Sequence, residues 1–140
     1  ATPGALVFVG SVAGVVASPG LRLYNATKFG VRGFALSLAQ DLHDTPVHCT
    51  HLAPGYVRDA GMFANSGAAL PPGVRTSTPG EVANAIVSAL RRGPTEAFVA
   101  PTEVRVAASA AGLLPAVGAA LQRRFGTAAR MSAPGQQPAS

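Results

Sequence analysis

The chain is short of the residues that most often announce a function. It has one cysteine, Cys49, no tryptophan, and a single lysine, Lys28, against ten arginines. A lone thiol excludes an intramolecular disulfide and fits a reducing compartment, so a cytoplasmic location is expected. Cys49 falls in an apolar stretch and is expected to be a buried, inert strand residue. No Cys/His cluster has metal spacing: His43, His48 and His51 lack carboxylate or thiolate partners at useful intervals, and a structural role is expected for His48 and His51, which flank an apolar run. The net charge is +5, yet the arginines are scattered, and Arg91-Arg92 and Arg123-Arg124 are the only adjacent pairs. With aromatics at 6% there is no basic stripe interleaved with rings, so nucleic acid is not an expected partner. No basic segment precedes the first apolar run, as a signal peptide would require. Residues 106–121 carry no charge, but the stretch is short, rich in small residues and interrupted by Pro115. It suits a helix covering a sheet better than a membrane span.

What is present reads as one α/β unit, long enough for a sizeable core. Residues 5–9 form a short apolar run with a glycine at each end, consistent with a buried parallel strand. Ser11 follows at its carboxyl end, where open α/β sheets place their chemistry. Residues 12–23 read as a loop with a Pro19-Gly20 turn. A long helix is expected over 24–42, with Phe29, Phe34, Leu38 and Leu42 on an apolar face. Gly30 and Gly33 cost that helix about 1 kcal/mol each against alanine, which makes sense where another backbone packs closely, as at a subunit contact. Thr45-Pro46 ends the helix, and a second strand is expected over 47–52. Residues 58–77 read as a substrate-covering loop with a short helix around Met62. Thr78-Pro79-Gly80-Glu81 is a capping box with proline at the first helical position, opening a helix to Leu90. A third strand over 97–100, a helical stretch over 103–125 broken near Pro115, and a Gly/Ala/Pro/Gln/Ser-rich disordered tail over 126–140 complete the chain. No internal repeat is present.

The chemistry concentrates in Ser11, Tyr24 and Lys28. Tyr24 and Lys28 are four residues apart, so on a helix they project from one face. A free tyrosine has a pKa of about 10 and is a poor acid or base near neutrality. A neighbouring ammonium favours the phenolate and lowers that value. A phenol so tuned can give a proton to a carbonyl oxygen, or remove one from an alcohol in reverse. A serine hydroxyl can hold the same oxygen and stabilise a developing alkoxide. Nothing in this set delivers a hydride, so a cofactor must, and a nicotinamide is the usual source. Arginine could not easily replace the one lysine, because a compact ammonium and a planar fork differ. The pair alone also suits an ordinary solvated helix face.

Three stretches in order are more specific than any one of them: Gly4-Ala-Leu-Val-Phe-Val-Gly-Ser11-Val-Ala-Gly14, Tyr24-Asn-Ala-Thr-Lys28-Phe-Gly30-Val-Arg-Gly33-Phe, and Pro54-Gly55-Tyr56-Val57. From residue 4 to residue 62 the chain resembles the C-terminal half of a short-chain dehydrogenase/reductase. The resemblance implies a doubly wound parallel-sheet Rossmann fold, of which residues 1–125 would be a part with about three strands and flanking helices. It implies an NAD(P)-dependent oxidoreductase that interconverts a carbonyl and a secondary alcohol. Ser11 would orient the carbonyl, Tyr24 would be the general acid/base, and Lys28 would tune Tyr24 and bind the nicotinamide ribose. Pro54, Gly55 and Val57 would cover the nicotinamide, and Tyr56 and Met62 are candidates for substrate contact. The family uses the helix of Tyr24 for dimer packing, so a homo-oligomer is expected of the whole protein. A site for an anionic dinucleotide would use some of the positive charge; a solvated surface accounts for most of the arginines. Epimerases and dehydratases of the same superfamily share Tyr-x-x-x-Lys but carry a longer substrate domain than this C-terminus provides.

Two departures stand out. Asp59 occupies the position where the family usually has a threonine binding the cofactor carboxamide; a carboxylate accepts from an amide but cannot donate. The family's Gly-rich phosphate loop, its ribose-selecting residue and its active-site asparagine precede the serine strand, with which this chain begins. The chain is therefore read as a fragment, and the alternative is a catalytically inactive piece retaining only the dimerisation helix and half of the sheet.

Overall fold

A computed structural model describes residues 2–59, 65 and 74–125. Three parallel strands form one sheet: β1 (Gly4–Val9), β2 (Val47–Pro54) and β3 (Glu96–Val99), in the order β1-β2-β3. The register runs from Gly4 opposite Val47 to Val9 opposite Leu52, and from His51 opposite Glu96 to Pro54 opposite Val99. A parallel pair needs a crossover. These are α1 (Arg22–Asp41) between β1 and β2, and α2 (Pro79–Arg92) before β3. Two further helices, α3 (Thr102–Leu113) and α4 (Pro115–Phe125), follow β3 and part at Pro115, as expected.

The two crossovers read opposite faces of the central strand, because alternate side chains of a strand point opposite ways. Cys49 donates from Sγ to the Ala35 carbonyl of α1 (3.4 Å), and His51 also faces α1's side. Thr50 donates to the carbonyl of Pro94, just after α2. Residues 49–54 of β2 are buried throughout, with Leu52, Ala53, His51 and Thr50 at 0% exposure. Such burial is the mark of a central strand covered on both faces. Thr78 and Glu81 form the expected capping box at the start of α2, the Thr78 hydroxyl accepting from the Glu81 amide (3.1 Å).

Several boundaries shift. The loop after Ser11 contains a 3-10 turn (Val12–Gly14), α1 starts two residues early at Arg22, and α2 runs on to Arg92. Strand β2 continues to Pro54, so the Pro-Gly segment begins inside the sheet, while β3 lies one residue earlier than expected. The helix face is the larger correction. Phe29 and Phe34 are 42% and 58% exposed, and the buried positions of α1 are Asn25 and Ala35. Phe34 touches the sheet only at its margin, edge-on to Phe8 at 5.3 Å between ring centroids. The buried and half-buried stripe runs through residues 25, 28, 32 and 35, mostly polar where it meets the Ser11 loop and Glu96, and continues through Leu38 and Leu42. Nothing lies within 4 Å of a side chain that Gly30 or Gly33 would carry, so no close backbone within the described chain explains them. The helix expected around Met62 and the 126–140 tail fall outside the described residues. No helix among those described is long and apolar enough to cross a membrane, 106–121 included.

Candidate active site

Ser11 and the Pro54 segment leave the sheet at the same carboxyl edge, since their strands run parallel and the Gly10 amide bonds the Leu52 carbonyl (2.8 Å). Ser11 is 9% exposed and opens the 3-10 turn, its Oγ accepting from the Ala13 amide at 3.1 Å. That bond uses a lone pair; the O–H finds no acceptor among the described residues and remains available to donate.

Tyr24 and Lys28 lie in the first two turns of α1, both half-buried. Lys28 Nζ sits over the Tyr24 ring, 5.7 Å from its centroid, within cation–π range. Lys28 makes no ion pair among the described residues. The Ser11 turn presses directly on this part of the helix. A Cβ on Gly14 would stand 2.6 Å from the Lys28 carbonyl oxygen, so only glycine permits the approach. Asn25, 6% exposed, donates from its amide nitrogen to the carbonyls of Ala13 (2.7 Å) and Val16 (3.0 Å), and its Oδ1 accepts from the Ser18 amide (3.1 Å). The loop carrying Ser11 is thus bound to the turn carrying Tyr24 and Lys28.

Beyond β2, the Gly55 amide bonds the Val99 carbonyl (3.0 Å). Val57 pairs with Ser77, whose amide donates to the Tyr56 carbonyl (2.8 Å) and whose hydroxyl donates to Val99 (3.1 Å). These bonds set Pro54, Gly55, Tyr56 and Val57 along the sheet edge. Asp59 is exposed, with φ of 66°, and Arg58 Nε lies 3.4 Å from its carboxylate. A cavity of about 660 Å³ beside this segment is lined by Arg58, Arg75, Ser77, Glu81, Phe98 and Pro101, and by none of Ser11, Tyr24 or Lys28. Met62 lies outside the described residues.

A second polar group sits beneath Gly10. His51 is fully buried, with Nδ1 2.9 Å from Glu96 Oε1, and Glu96 takes both Nε (2.7 Å) and an NH2 group (3.1 Å) of Arg32. Burial pushes the His51 pKa below its usual 6.5, assisted by the charges of Arg32 and Lys28, and only partly opposed by Glu96. Burial alone would raise Glu96, but the hydrogen bonds from Arg32 and His51 outweigh it and hold its carboxyl below the usual range. Bonding to Glu96 raises Arg32 in turn. Burial pushes the Cys49 thiol up, which keeps it inert. Sequence spacing gave His51 no carboxylate partner because that partner comes from another strand, 45 residues on. Asn25 was legible only as a polar position inside a helix. No group of three or more metal-ligating side chains occurs among the described residues.

Comparison with known proteins bears on this arrangement. The sequence model of the short chain dehydrogenase family matches residues 1–70. Ketoacyl reductase HetN of a Nostoc species is 33% identical over 96 residues, covering 69% of this chain and 33% of that protein. An uncharacterized oxidoreductase of Streptomyces coelicolor is 38% identical over 112 residues, covering 80% and 42%. Among solved structures, a short chain dehydrogenase from Burkholderia cenocepacia in complex with NADP superposes with a TM-score of 0.66 at 24% identity, over 88% of this chain and 49% of that one. The chain thus spans about a third to a half of the length of these proteins. With the family model spanning half its residues, and with a parallel sheet that sends the serine turn and the Pro-Gly segment to one edge, the chain belongs to the short-chain dehydrogenase family.

Proposed function

We propose that this chain carries the catalytic side of an NAD(P)-dependent oxidoreductase that interconverts a carbonyl and a secondary alcohol. The observation that carries the reading is Lys28 Nζ over the Tyr24 ring, on the helix turn to which the Ser11 loop is bound. The residues present fit the nicotinamide end of such a cofactor. Among the described residues the Lys28 ammonium has no carboxylate partner, which leaves it for ribose hydroxyls, and the Pro54-Gly55-Tyr56-Val57 segment is hydrogen-bonded in place at the same sheet edge. The Gly-rich phosphate loop is not among this chain's residues. When bound, the nicotinamide supplies or accepts the hydride. In the reducing direction Ser11 Oγ–H donates to the substrate carbonyl oxygen. The Tyr24 phenol then gives its proton to that oxygen, and the Lys28 ammonium stabilises the charge left on the phenol oxygen. Tyr56 and Met62 contact substrate, α1 packs against a second copy, and the enzyme works in the cytoplasm.

Tyr24→Phe in the full-length protein tests the mechanism. Turnover falls at least about 100-fold while cofactor binding, read by fluorescence titration, is kept; retained turnover refutes it. Lys28→Met weakens both.

A second reading has its own support. Strand β1 pairs on one side only among the described residues, and Leu6 and Val9 are 42% and 46% exposed. An open, partly apolar edge suits a chain that is an inactive assembly piece by itself. That reading expects no NAD(P)H binding by the isolated 140-residue chain; a saturable fluorescence change with either nucleotide excludes it.

A further inference from the structure

We infer that Asn25 is a positioning residue that sets the distance between the Ser11 hydroxyl and the Tyr24 phenol. The inference rests on the roles proposed above for Ser11 and Tyr24. Between the end of β1 and the start of α1 the backbone bonds to itself only in the 3-10 turn with the Val16 amide added, and in a turn closed by the Leu21 amide on the Ser18 carbonyl (3.2 Å). Its other carbonyls and amides need partners, because a buried unpaired peptide group is costly. Asn25 supplies three of them with one side chain: two N–H donors to Ala13 and Val16, one oxygen to Ser18. The three partners lie two, five and seven residues past Ser11, so the whole span that follows the serine hangs from one helical position. That position is next to Tyr24 and within one turn of Lys28. Asn25 does not occupy the place of a reacting group, since all three of its bonds run to backbone. It acts through Ser11.

The amide is specific for this task. Aspartate has the same shape but no donor, and would set a carboxylate against two carbonyl oxygens. Serine offers a single donor on a shorter arm. Alanine leaves both carbonyls and the Ser18 amide without partners. The Gly14 contact with the Lys28 carbonyl oxygen limits how near the loop can come, and Asn25 limits how far it can move away. A displacement of about 1 Å between reacting groups can cost about 100-fold in rate.

The test is a double-mutant cycle in the full-length protein, with Asn25→Ala, Ser11→Ala and their combination. Asn25→Ser, which keeps one donor, serves where the alanine variant folds poorly. N25A is expected to lower kcat at least about tenfold, with cofactor affinity unchanged, and N25S to recover part of it. In the S11A background the N25A effect on kcat should vanish, because there is no hydroxyl left to misplace. Full additivity, or an equal loss in KM and kcat, overturns the proposal. Hydrogen exchange supplies a readout that needs no turnover. N25A should deprotect the Ala13 amide, which bonds Ser11 Oγ, as well as the Ser18 amide; an unchanged Ala13 amide overturns the proposal even if the enzyme reading stands. A full rate in Tyr24→Phe, with Ala13 deprotected by N25A, instead overturns the enzyme reading and leaves the loop held as inferred.

Discussion

Helix α1 carries two polar clusters, one buried and one partly exposed, built on opposite plans. At its first turns, Asn25 is uncharged, and every partner is a backbone group seven to twelve residues away. Two turns later, Arg32 joins Glu96 and His51, charged or titratable side chains from β3 and β2 that lie up to 64 residues distant. Both sit beside the Ser11 segment. The first fastens it to the helix, and the second fills the space beneath Gly10. The difference is physical. A neutral amide bonded to peptide groups gains nothing and loses nothing when pH changes. An ion row ties three elements together but makes their union dependent on protonation, and desolvation of its charges offsets part of the Coulombic gain. The neutral cluster governs local geometry, and the charged one governs the assembly of the layers.

The largest effect should come where the charged cluster meets the serine strand. A Cβ on Gly10 would fall on His51 Nε2. That atom has no hydrogen-bond partner among the described residues, and its side chain is fully buried and held at Nδ1 by Glu96, so it has nowhere to retreat. Gly10→Ala should therefore cost about 3 kcal/mol, the upper end for overpacking a tight site, read from the urea midpoint. Trimming the obstacle should restore part of the loss: G10A in a His51→Ala background costs far less than in the parent. Equal costs in both backgrounds would mean that the strand end yields and that His51 does not hold it.

How much of this could be read from residue order follows the same division. The Thr78–Glu81 box, the break at Pro115 and the Tyr24–Lys28 pair depend on neighbours three to five positions away, and each stands as expected. Ser11 and the Pro-Gly segment could be sent to one sheet edge because parallel topology alone puts them there. The ion row could not be read, because His51, Glu96 and Arg32 meet only once three elements have packed. The mistaken apolar face of α1 has the same origin. Hydropathy selected Phe29 and Phe34 along with the half-buried Leu38 and Leu42, whereas the inward positions of the earlier turns are Asn25, which bonds the Ser11 loop, Arg32, which bonds Glu96, and the small Ala35.

Acid separates the two clusters. Both His51 and Glu96 have folded-state pKa values below their ordinary ones. For each, the unfolded chain binds the proton more readily, so stability is full above the ordinary value and falls as pH drops toward the folded one. His51 opens the loss just below its usual 6.5, and Glu96 adds to it below 4.5. The slope is at most about 1.4 kcal/mol per pH unit for one group. Glu96→Gln should cost about 2 kcal/mol at pH 7.5, less than for a fully buried pair because Arg32 and Glu96 keep 31% and 21% exposure. It should also abolish the lower limb. Asn25→Ala should lower stability by the same amount at every pH. A pH-dependent difference between N25A and the parent would break the contrast between the clusters.

The smallest effect sharpens it. Arg75 and Glu103 repeat the fork of Arg32 and Glu96 almost atom for atom: Nε to one carboxylate oxygen at 3.1 Å and an NH2 group to the other at 3.5 Å. The side chains are 72% and 50% exposed, and they join the segment before α2 to the first turn of α3. A bond from its own backbone amide, and then Arg75, hold the Glu103 carboxyl below its usual range. Water competes for that charge, however, and salt screens it. Glu103→Gln should leave the urea midpoint at pH 7.5 within error of the parent, while E96Q lowers it clearly, and raising the salt should erase whatever small difference remains. A midpoint shift for E103Q as large as that for E96Q would show that fork geometry sets the strength of these pairs. The expected inequality assigns that strength to burial and to His51, which only the inner pair possesses.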